Sequence, residues 1–149
     1  MNEETRPEPE FSVFDPQRFL GLDEMGLRVL SWRRLGRPDG PGLRQIRCEP
    51  DSHDARWCPS CGAYARVRSS WLRTLAHVPY GDDAVHLLVR VRRYECVPCS
   101  RSWSDDPEAV GAGRGVLSVP AVMWALRRVC LDSMTVSACA RLLHVAWAV

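Results

Sequence analysis

The sequence predicts a small α+β protein in which a β-hairpin and a cysteine-closed β-rich segment precede two to three helices. Two Cys-x-x-Cys pairs, Cys58/Cys61 and Cys96/Cys99, bracket a segment whose apolar residues recur at period two. After about residue 116 the apolar spacing becomes helical instead. At 149 residues the chain is long enough for one domain, or for one small domain with appendages.

The N-terminal region is acidic, since residues 1–25 contain two Arg against seven acidic residues. Together with its prolines, this composition is typical of disordered chain, and we expect residues 1–18 to form an acidic tail. The region lacks the apolar stretch of a secretory signal. The sequence also lacks an apolar run of about 18 residues, so we expect a cytoplasmic protein without a membrane span.

Residues 19–56 are predicted to form a β-hairpin that leads into the cysteine-rich segment. Its arms are residues 27–33 and 43–48, which are rich in branched and aromatic side chains. Between them lies a cluster of glycines and prolines at residues 36–42, which favours a turn.

Residues 57–104 are predicted to form a β domain around one clear strand at residues 85–94. One face of that strand is apolar, with Val85, Leu87, Val89 and Val91. The other face carries His86, Leu88, Arg90 and Arg92, so the pattern indicates a strand with one buried and one basic face. Shorter strands are expected at residues 64–68 and 70–75, with a turn at residues 79–83.

Residues 116–149 are predicted to be helical. An apolar stripe runs along residues 118–131, formed by Val119, Val122, Met123, Leu126, Val129 and Cys130. Ser118 is a suitable N-cap, and Pro120 is compatible with the first turn. A second helix is expected from about Thr135 to Leu143. The cysteines outside the pairs, Cys48, Cys130 and Cys139, are expected to be small core residues.

The two cysteine pairs indicate a metal site. Two sulfurs three residues apart can reach one ion, and two such arms complete a tetrahedron, so we predict Zn²⁺ bound by Cys58, Cys61, Cys96 and Cys99. The segment is therefore predicted to be zinc-ribbon-like. Iron in a rubredoxin-like site is the alternative, whereas a redox pair is disfavoured because no βαβ pattern surrounds either motif.

Residues next to the pairs bear on the predicted site. Gly62 follows the first pair, where the turn favours a positive φ, and Ser100 stands at the matching position of the second. Pro98 lacks an amide that could donate to the Cys96 sulfur. His53 could replace one cysteine, although a solvated loop histidine is the expectation.

Four stretches of the chain, residues 58–62, 68–75, 78–81 and 91–96, together resemble the N-terminal zinc-binding domain of bacterial insertion-sequence transposases of the ISL-three type. The resemblance covers about residues 20–149. It implies a zinc domain followed by a helix-turn-helix and a DDE-type catalytic domain. Residues 135–145 would be the first helix and turn, with Ala140 where the helices meet and His144 in place of the usual Gly, and residues 146–149 would begin the recognition helix.

The resemblance also implies what this chain does alone. No residues remain for the family's catalytic domain, so we expect a truncated or split transposase without catalytic activity of its own. Asp105, Asp106 and Glu108 are interpreted as a solvated acidic loop and not as the metal-binding carboxylates that phosphoryl chemistry needs.

The resemblance and the charge pattern predict DNA, at transposon ends in the bacterial nucleoid, as the partner. The chain contains 20 arginines and no lysine, and arginine suits phosphate contacts. The predicted DNA-binding residues are Arg66, Arg68, Arg73, Arg90, Arg92, Arg93, Arg127, Arg128 and Arg141.

Two alternatives to DNA binding remain open. The chain could be a zinc-stabilised protein-interaction module that binds a full-length transposase or itself, the self-association using Trp124, Leu126, Leu142, Leu143 and Trp147. It could also be a non-functional remnant. A catalytic zinc site is disfavoured because four cysteines leave no open coordination position.

Overall fold

The structure, a computed structural model, describes residues 15–51, 53–105, 110–111 and 115–146. Residues 1–14 of the predicted tail, Asp106 and Glu108 of the acidic loop, and residues 147–149 of the predicted recognition helix lie outside this part. The described residues form one five-stranded sheet with three α-helices and one turn of 3₁₀-helix. The predicted α+β class is confirmed.

The elements follow one another along the chain as a hairpin, a long second hairpin and a helical pair. In chain order they are α1 (Pro16–Phe19), β1 (Leu27–Leu35), β2 (Leu43–Pro50), a 3₁₀ turn (His53–Arg56), β3 (Arg66–Tyr80), β4 (Asp83–Glu95), β5 (Ser102–Ser104), α2 (Val119–Leu131) and α3 (Val136–Leu143). The sheet order is β1-β2-β4-β3, and β5 pairs with the end of β4. All pairs are antiparallel except β2 with β4, which is parallel.

The β3–β4 hairpin differs from the prediction in two respects. The two short strands expected between residues 64 and 75 are one 15-residue strand, with a bulge between Val67 and Ser69. The turn contains only Gly81 and Asp82, because Tyr80 already pairs with Asp83. Gly81 has φ 60°, which suits such a short connection between twisted strands. The prediction of a turn over residues 79–83 was therefore too long.

The core lies on one face of the sheet, and the predicted alternation of β4 is confirmed. Val85, Leu87, Val89 and Val91 have 0% exposure. They pack with residues from β1, β2, β3 and the segment before β1, namely Leu27, Ile46, Cys48, Leu75, Leu20 and Leu22.

The N-terminal segment is held against β1 by Gln17. Its side-chain oxygen accepts from the Val29 amide at 2.8 Å, and its amide nitrogen donates to the Leu27 carbonyl at 2.6 Å. The tail boundary predicted at residue 18 thus falls inside α1, because this glutamine and the buried Leu20 dock the segment onto the core.

The two C-terminal helices begin where the sequence predicts, α2 at the predicted N-cap Ser118 and α3 at Thr135, which the structure shows to be an N-cap as well. Ser118 Oγ accepts from the Ala121 amide at 3.2 Å, and Thr135 Oγ1 accepts from the Ala138 amide at 3.1 Å. α3 ends at His144, which has φ 54° and ψ 47°. This is the left-handed conformation that the turn of a helix-turn-helix would require. None of the helices in the described residues is long and apolar enough to cross a membrane.

α2 packs through a different side than its apolar stripe. Ala121 has 0% exposure. It packs with Ala76 of β3 and Leu143 of α3 on the face of the sheet opposite the core. In contrast, Val119, Val122, Met123 and Leu126 are between 41% and 52% exposed. Trp124 and Ala125 pack against the same cluster, so the side of α2 that faces the sheet is formed by Ala121, Trp124 and Ala125.

Of the three cysteines outside the pairs, two are buried and one is exposed. Cys48 and Cys139 are buried, as predicted for core residues. Cys130 is exposed, so its predicted core position was wrong. It lies with the stripe on the outward side of α2, where no described residue covers it.

Candidate functional site

The two cysteine pairs meet at the open end of the β3–β4 hairpin, because the first pair precedes β3 and the second follows β4. All four Sγ atoms lie within 4.8 Å of one another. Cys58 Sγ is 3.5 Å from Cys99 Sγ, and Cys61 Sγ is 3.3 Å from Cys96 Sγ. Four sulfurs at about 2.3 Å from a tetrahedral zinc ion are about 3.8 Å apart. The cluster therefore fits Zn²⁺ closely.

Both pairs are held by the same backbone turn. The amide four residues after the first cysteine donates to that cysteine's carbonyl, Gly62 to Cys58 and Ser100 to Cys96, at 2.9 Å in each case. A second bond runs from the first cysteine's amide to the carbonyl five residues later, at 2.9 Å and 2.8 Å. Gly62 has φ 72° and Ser100 has φ 58°. Two equivalent zinc knuckles thus face each other across the hairpin end.

The knuckles differ in the hydrogen bonds that their first sulfur receives. Burial opposes ionisation of Cys58, but bonds from the Cys61 and Ser60 amides and from two neighbouring thiols lower its pKa to about 6. At Cys96 the Cys99 amide favours the thiolate, but burial and the surrounding thiols raise the pKa to about 12. Pro98 occupies the position that matches Ser60 and has no N–H to donate. The second knuckle therefore provides one amide donor where the first provides two.

Aromatic and arginine side chains fix the knuckles to the sheet. The Trp57 and Tyr64 rings meet edge to face at 5.2 Å between centroids, and Arg56 donates to the Tyr64 hydroxyl at 2.6 Å. Trp103 Nε1 donates to the Ala55 carbonyl at 2.7 Å. These contacts place the first knuckle relative to the β4 end without using the metal.

His53 does not belong to the metal centre. Its side chain is 97% exposed, and its Nε2 lies 3.9 Å from an Asp51 carboxylate oxygen. Among the described residues, the four cysteines are the one group of three or more metal-ligating side chains close enough to share an ion. The solvated loop histidine expected from the sequence is what the structure contains.

A cage of four cysteines on two knuckles at the end of a β-hairpin defines a zinc ribbon. Zn²⁺ is the metal that this donor set holds, and four thiolates close its coordination sphere. Residues 54–99 match the family model described as the zinc-finger of transposase IS204/IS1001/IS1096/IS1165. No curated protein and no solved structure matches the chain. The segment that contains the four cysteines thus matches the zinc ribbon of ISL-three-type transposases, as the sequence resemblance predicts.

Three of the arginines predicted to bind DNA lie beside the ribbon. Arg66 and Arg68 both face Glu95, with closest N–O distances of 2.6 Å and 3.8 Å. Arg93 is exposed and pairs across the sheet with Ser69. Arg66 and Arg68 share one acidic partner, and together with Arg93 they form the ribbon-side cluster.

Four other predicted arginines lie away from that cluster. Arg73 is half-buried and donates to the Gly111 carbonyl at 2.9 Å. Arg128 on α2 pairs with Asp132, the residue that follows the helix, at 2.6 Å, while Arg127 and Arg141 are exposed on the two helices. The described structure therefore does not bring the nine arginines onto one surface.

Arg92 and Arg90 have different surroundings although they are two residues apart on β4. Arg92 bonds to Glu49 at 2.6 Å, and Arg28 also pairs with this carboxylate. Burial raises the pKa of Glu49, but the hydrogen bonds from Arg92 and Arg28 outweigh it and lower the pKa. Arg90 is exposed and has no ion-pair partner within the described part of the chain. Arg90 is therefore available to a ligand, and Arg92 serves mainly to neutralise Glu49.

The sequence reasoning missed two exposed arginines on the same face as Arg90. Arg33 on β1 and Arg47 on β2 belong to the predicted hairpin, but nothing in the sequence shows that β2 runs parallel beside β4. The alternation of polar and apolar residues in the hairpin arms is the signal that could have pointed to them. The place of the hairpin in the sheet follows only from the structure.

Proposed function

We propose that this chain is a zinc-stabilised, DNA-binding module of an ISL-three-type transposase. The match of residues 54–99 to the transposase zinc finger, together with the four-cysteine cluster, carries the proposal. The zinc closes the open end of the β3–β4 hairpin and so orders the basic strands that flank it. Some of the exposed arginines of the sheet contact phosphates, which gives affinity without sequence selection.

Base recognition is assigned to the helical region. α3 with its left-handed His144 supports a helix-turn-helix whose second helix would enter the major groove. The zinc is structural, since a closed four-thiolate shell holds no activated water. We therefore assign binding, and no catalysis, to the described residues. We place the protein in the bacterial cytoplasm with the nucleoid, where its DNA partner would be.

A titration of zinc-loaded protein onto a duplex tests this function. Fluorescence anisotropy with a mixed-sequence duplex about two helical turns long would be measured over a range of salt concentrations. We expect log K to fall with log salt at a slope of about −0.9 per phosphate contact. Protein stripped of zinc by a chelator should bind more weakly. A zinc-loaded protein that binds no DNA at low salt would contradict the proposal.

A protein-interaction role is the second candidate, and the exposed side of α2 favours it. Of the residues predicted for self-association, Leu143 is buried and Trp124 is half-buried in the helix–sheet contact. Leu126 and Leu142 are 52% and 42% exposed. Light scattering after size exclusion would show a concentration-dependent mass that Leu126→Glu abolishes and Arg127→Glu preserves. A monomer at all concentrations would exclude self-association through this side.

A further inference from the structure

We infer that three arginines on the open face of the sheet, Arg33, Arg47 and Arg90, form the surface that holds the backbone of duplex DNA. We call them the arginine diagonal. The inference rests on the proposed DNA binding and names the surface responsible for it.

The register of the sheet places the three side chains in one diagonal row. Arg33 on β1 pairs with Gln45, which is two residues before Arg47 on β2. Arg47 pairs with Leu88, which is two residues before Arg90 on β4. Paired residues share a face, as do residues two apart on a strand. With strands about 4.8 Å apart and about 6.7 Å per two residues, successive Cα atoms of the row are about 8 Å apart.

The face that carries the diagonal is only partly covered. The opposite face holds the core, so this one is free of it. α2 and α3 cover the end near Ala76 and His86, where His86 Nε2 lies 3.1 Å from the Leu143 carbonyl oxygen. Beyond that end the three arginines are exposed. An extended ligand can therefore lie across the sheet between the helices and the zinc ribbon.

The positive charge of the diagonal is not neutralised. Glu49 is the one acidic residue on this face among the described strands, and it is 6% exposed and already bound by Arg28 and Arg92. Arg47 and Arg90 have no ion pair in the described structure, and Arg33 donates only to the neutral Gln45, at 2.8 Å.

The ribbon-side cluster differs in this respect, because Glu95 pairs with both Arg66 and Arg68. A regular row of guanidinium groups without carboxylate partners is the better match for phosphates, which arginine contacts in a bidentate manner. The geometry therefore favours the diagonal over the ribbon-side cluster as the main phosphate-binding surface.

Two triple variants with equal loss of charge separate these surfaces. The test variant is Arg33→Gln, Arg47→Gln and Arg90→Gln, and the matched control is Arg66→Gln, Arg68→Gln and Arg93→Gln. Each zinc-loaded protein is titrated onto the same mixed-sequence duplex over a range of salt concentrations. We expect the test variant to lose at least about tenfold in affinity at low salt and its slope to become shallower by about 2.7, or about 0.9 per arginine. The control variant should retain most of the wild-type affinity and most of the salt slope.

Other results would overturn the inference. If the control variant loses affinity and the test variant does not, the diagonal is not the DNA surface, although DNA binding itself stands. If the test variant binds single-stranded DNA more weakly than the wild type does but binds the duplex equally well, the assignment to a duplex is wrong. If the wild-type protein binds no DNA at all, the proposed function fails first. If the triple variant does not fold, the single variant Arg47→Gln, at an exposed position, replaces it. Its slope of log K against log salt should be shallower than the wild-type slope by about 0.9.

Discussion

Gly62 and Ser100 occupy the same position in the two zinc knuckles, four residues after Cys58 and Cys96. Each donates its amide to the carbonyl of that cysteine at 2.9 Å, and each has a left-handed backbone, with φ 72° and 58°. A Cβ added at Gly62 would meet nothing within 4 Å. A side chain at Gly62 would therefore be opposed by the left-handed backbone and not by a lack of space.

We predict that Ser100→Gly stabilises the zinc-loaded protein by about 0.5–1 kcal/mol. A left-handed backbone costs a residue with a side chain about 1–2 kcal/mol, and the extra freedom of glycine in the unfolded chain offsets part of that. The reciprocal change Gly62→Ser should destabilise by a similar amount. Denaturant unfolding of both variants measures the effect. A Ser100→Gly protein less stable than the wild type would show that the serine side chain contributes more than its strain.

Asp83 is predicted to be a major contributor to stability where the two hairpins meet. Its carboxylate accepts from Arg34 at 2.8 Å, from Arg44 at 2.9 Å and from the Gly42 amide at 2.8 Å. Asp83→Asn leaves two arginines without their carboxylate and should cost about 3 kcal/mol. Urea unfolding measures the loss. The neighbouring exposed Asp82→Asn is the control, with an expected change below about 0.5 kcal/mol.

The effect of Asp83 should depend on pH. The hydrogen bond from Arg34, helped by Gly42 and Arg44, lowers its pKa against the opposing effect of burial. A lowered pKa gives stability that is present above the unfolded value of about 3.9 and is lost as the pH falls through the folded value. The stability difference between wild type and Asp83→Asn should therefore shrink below about pH 4. A constant difference would contradict the assignment.

His77 is predicted to make stability fall as the pH decreases below about 6.5. It is 1% exposed, with Nδ1 2.7 Å from Ser118 Oγ and Nε2 2.9 Å from the Leu20 carbonyl. Burial lowers its pKa, and the Leu20 carbonyl offsets this only in part. The unfolded chain therefore binds a proton more readily, and the free energy of unfolding should decrease by up to about 1.4 kcal/mol per pH unit below 6.5.

Zinc binding also depends on pH, but this dependence is the same in two variants that keep all four cysteines. Comparing them therefore isolates the effect of His77. His77→Gln should remove the His77 contribution to the slope, whereas the exposed control His53→Gln should keep it. Chemical unfolding at several pH values gives the slopes. Parallel curves for wild type and His77→Gln would show that His77 does not titrate with folding.

The orientation of α2 is tested by substitutions on its two sides. Val122 is 41% exposed, so Val122→Gln should change stability by less than about 0.5 kcal/mol. Ala121 is fully buried against the sheet, so Ala121→Leu should cost about 1–3 kcal/mol through overpacking. Thermal unfolding ranks the two variants. The reverse order would mean that the apolar stripe of α2 is its packed side.

The sequence was most informative where local chemistry determines the structure. The cysteine spacing, the glycine after the first pair and the missing amide at Pro98 each depend on a few neighbouring residues. The same holds for the alternation of β4 and for the N-cap Ser118. These features could be predicted because no distant part of the chain is needed to establish them.

The remaining features depend on contacts between distant segments. The apolar stripe of α2 suggested the wrong buried side, because α2 packs on β3 through Ala121, Trp124 and Ala125 instead. Arg92 was predicted to bind DNA, but Glu49 on β2 holds it in an ion pair. Arg33 and Arg47 join Arg90 only because β2 lies parallel to β4. None of these pairings leaves a periodic signal in the sequence.

The zinc content per purified chain tests the central claim most directly. Elemental analysis of the wild type should give one zinc ion per chain, and Cys130→Ser, which alters the exposed cysteine outside the cluster, should give the same. The double variant Cys61→Ser with Cys99→Ser removes one ligand from each knuckle and should lose the metal and the folded hairpin end. A folded wild-type protein without metal, or a double variant that retains its zinc, would contradict the account.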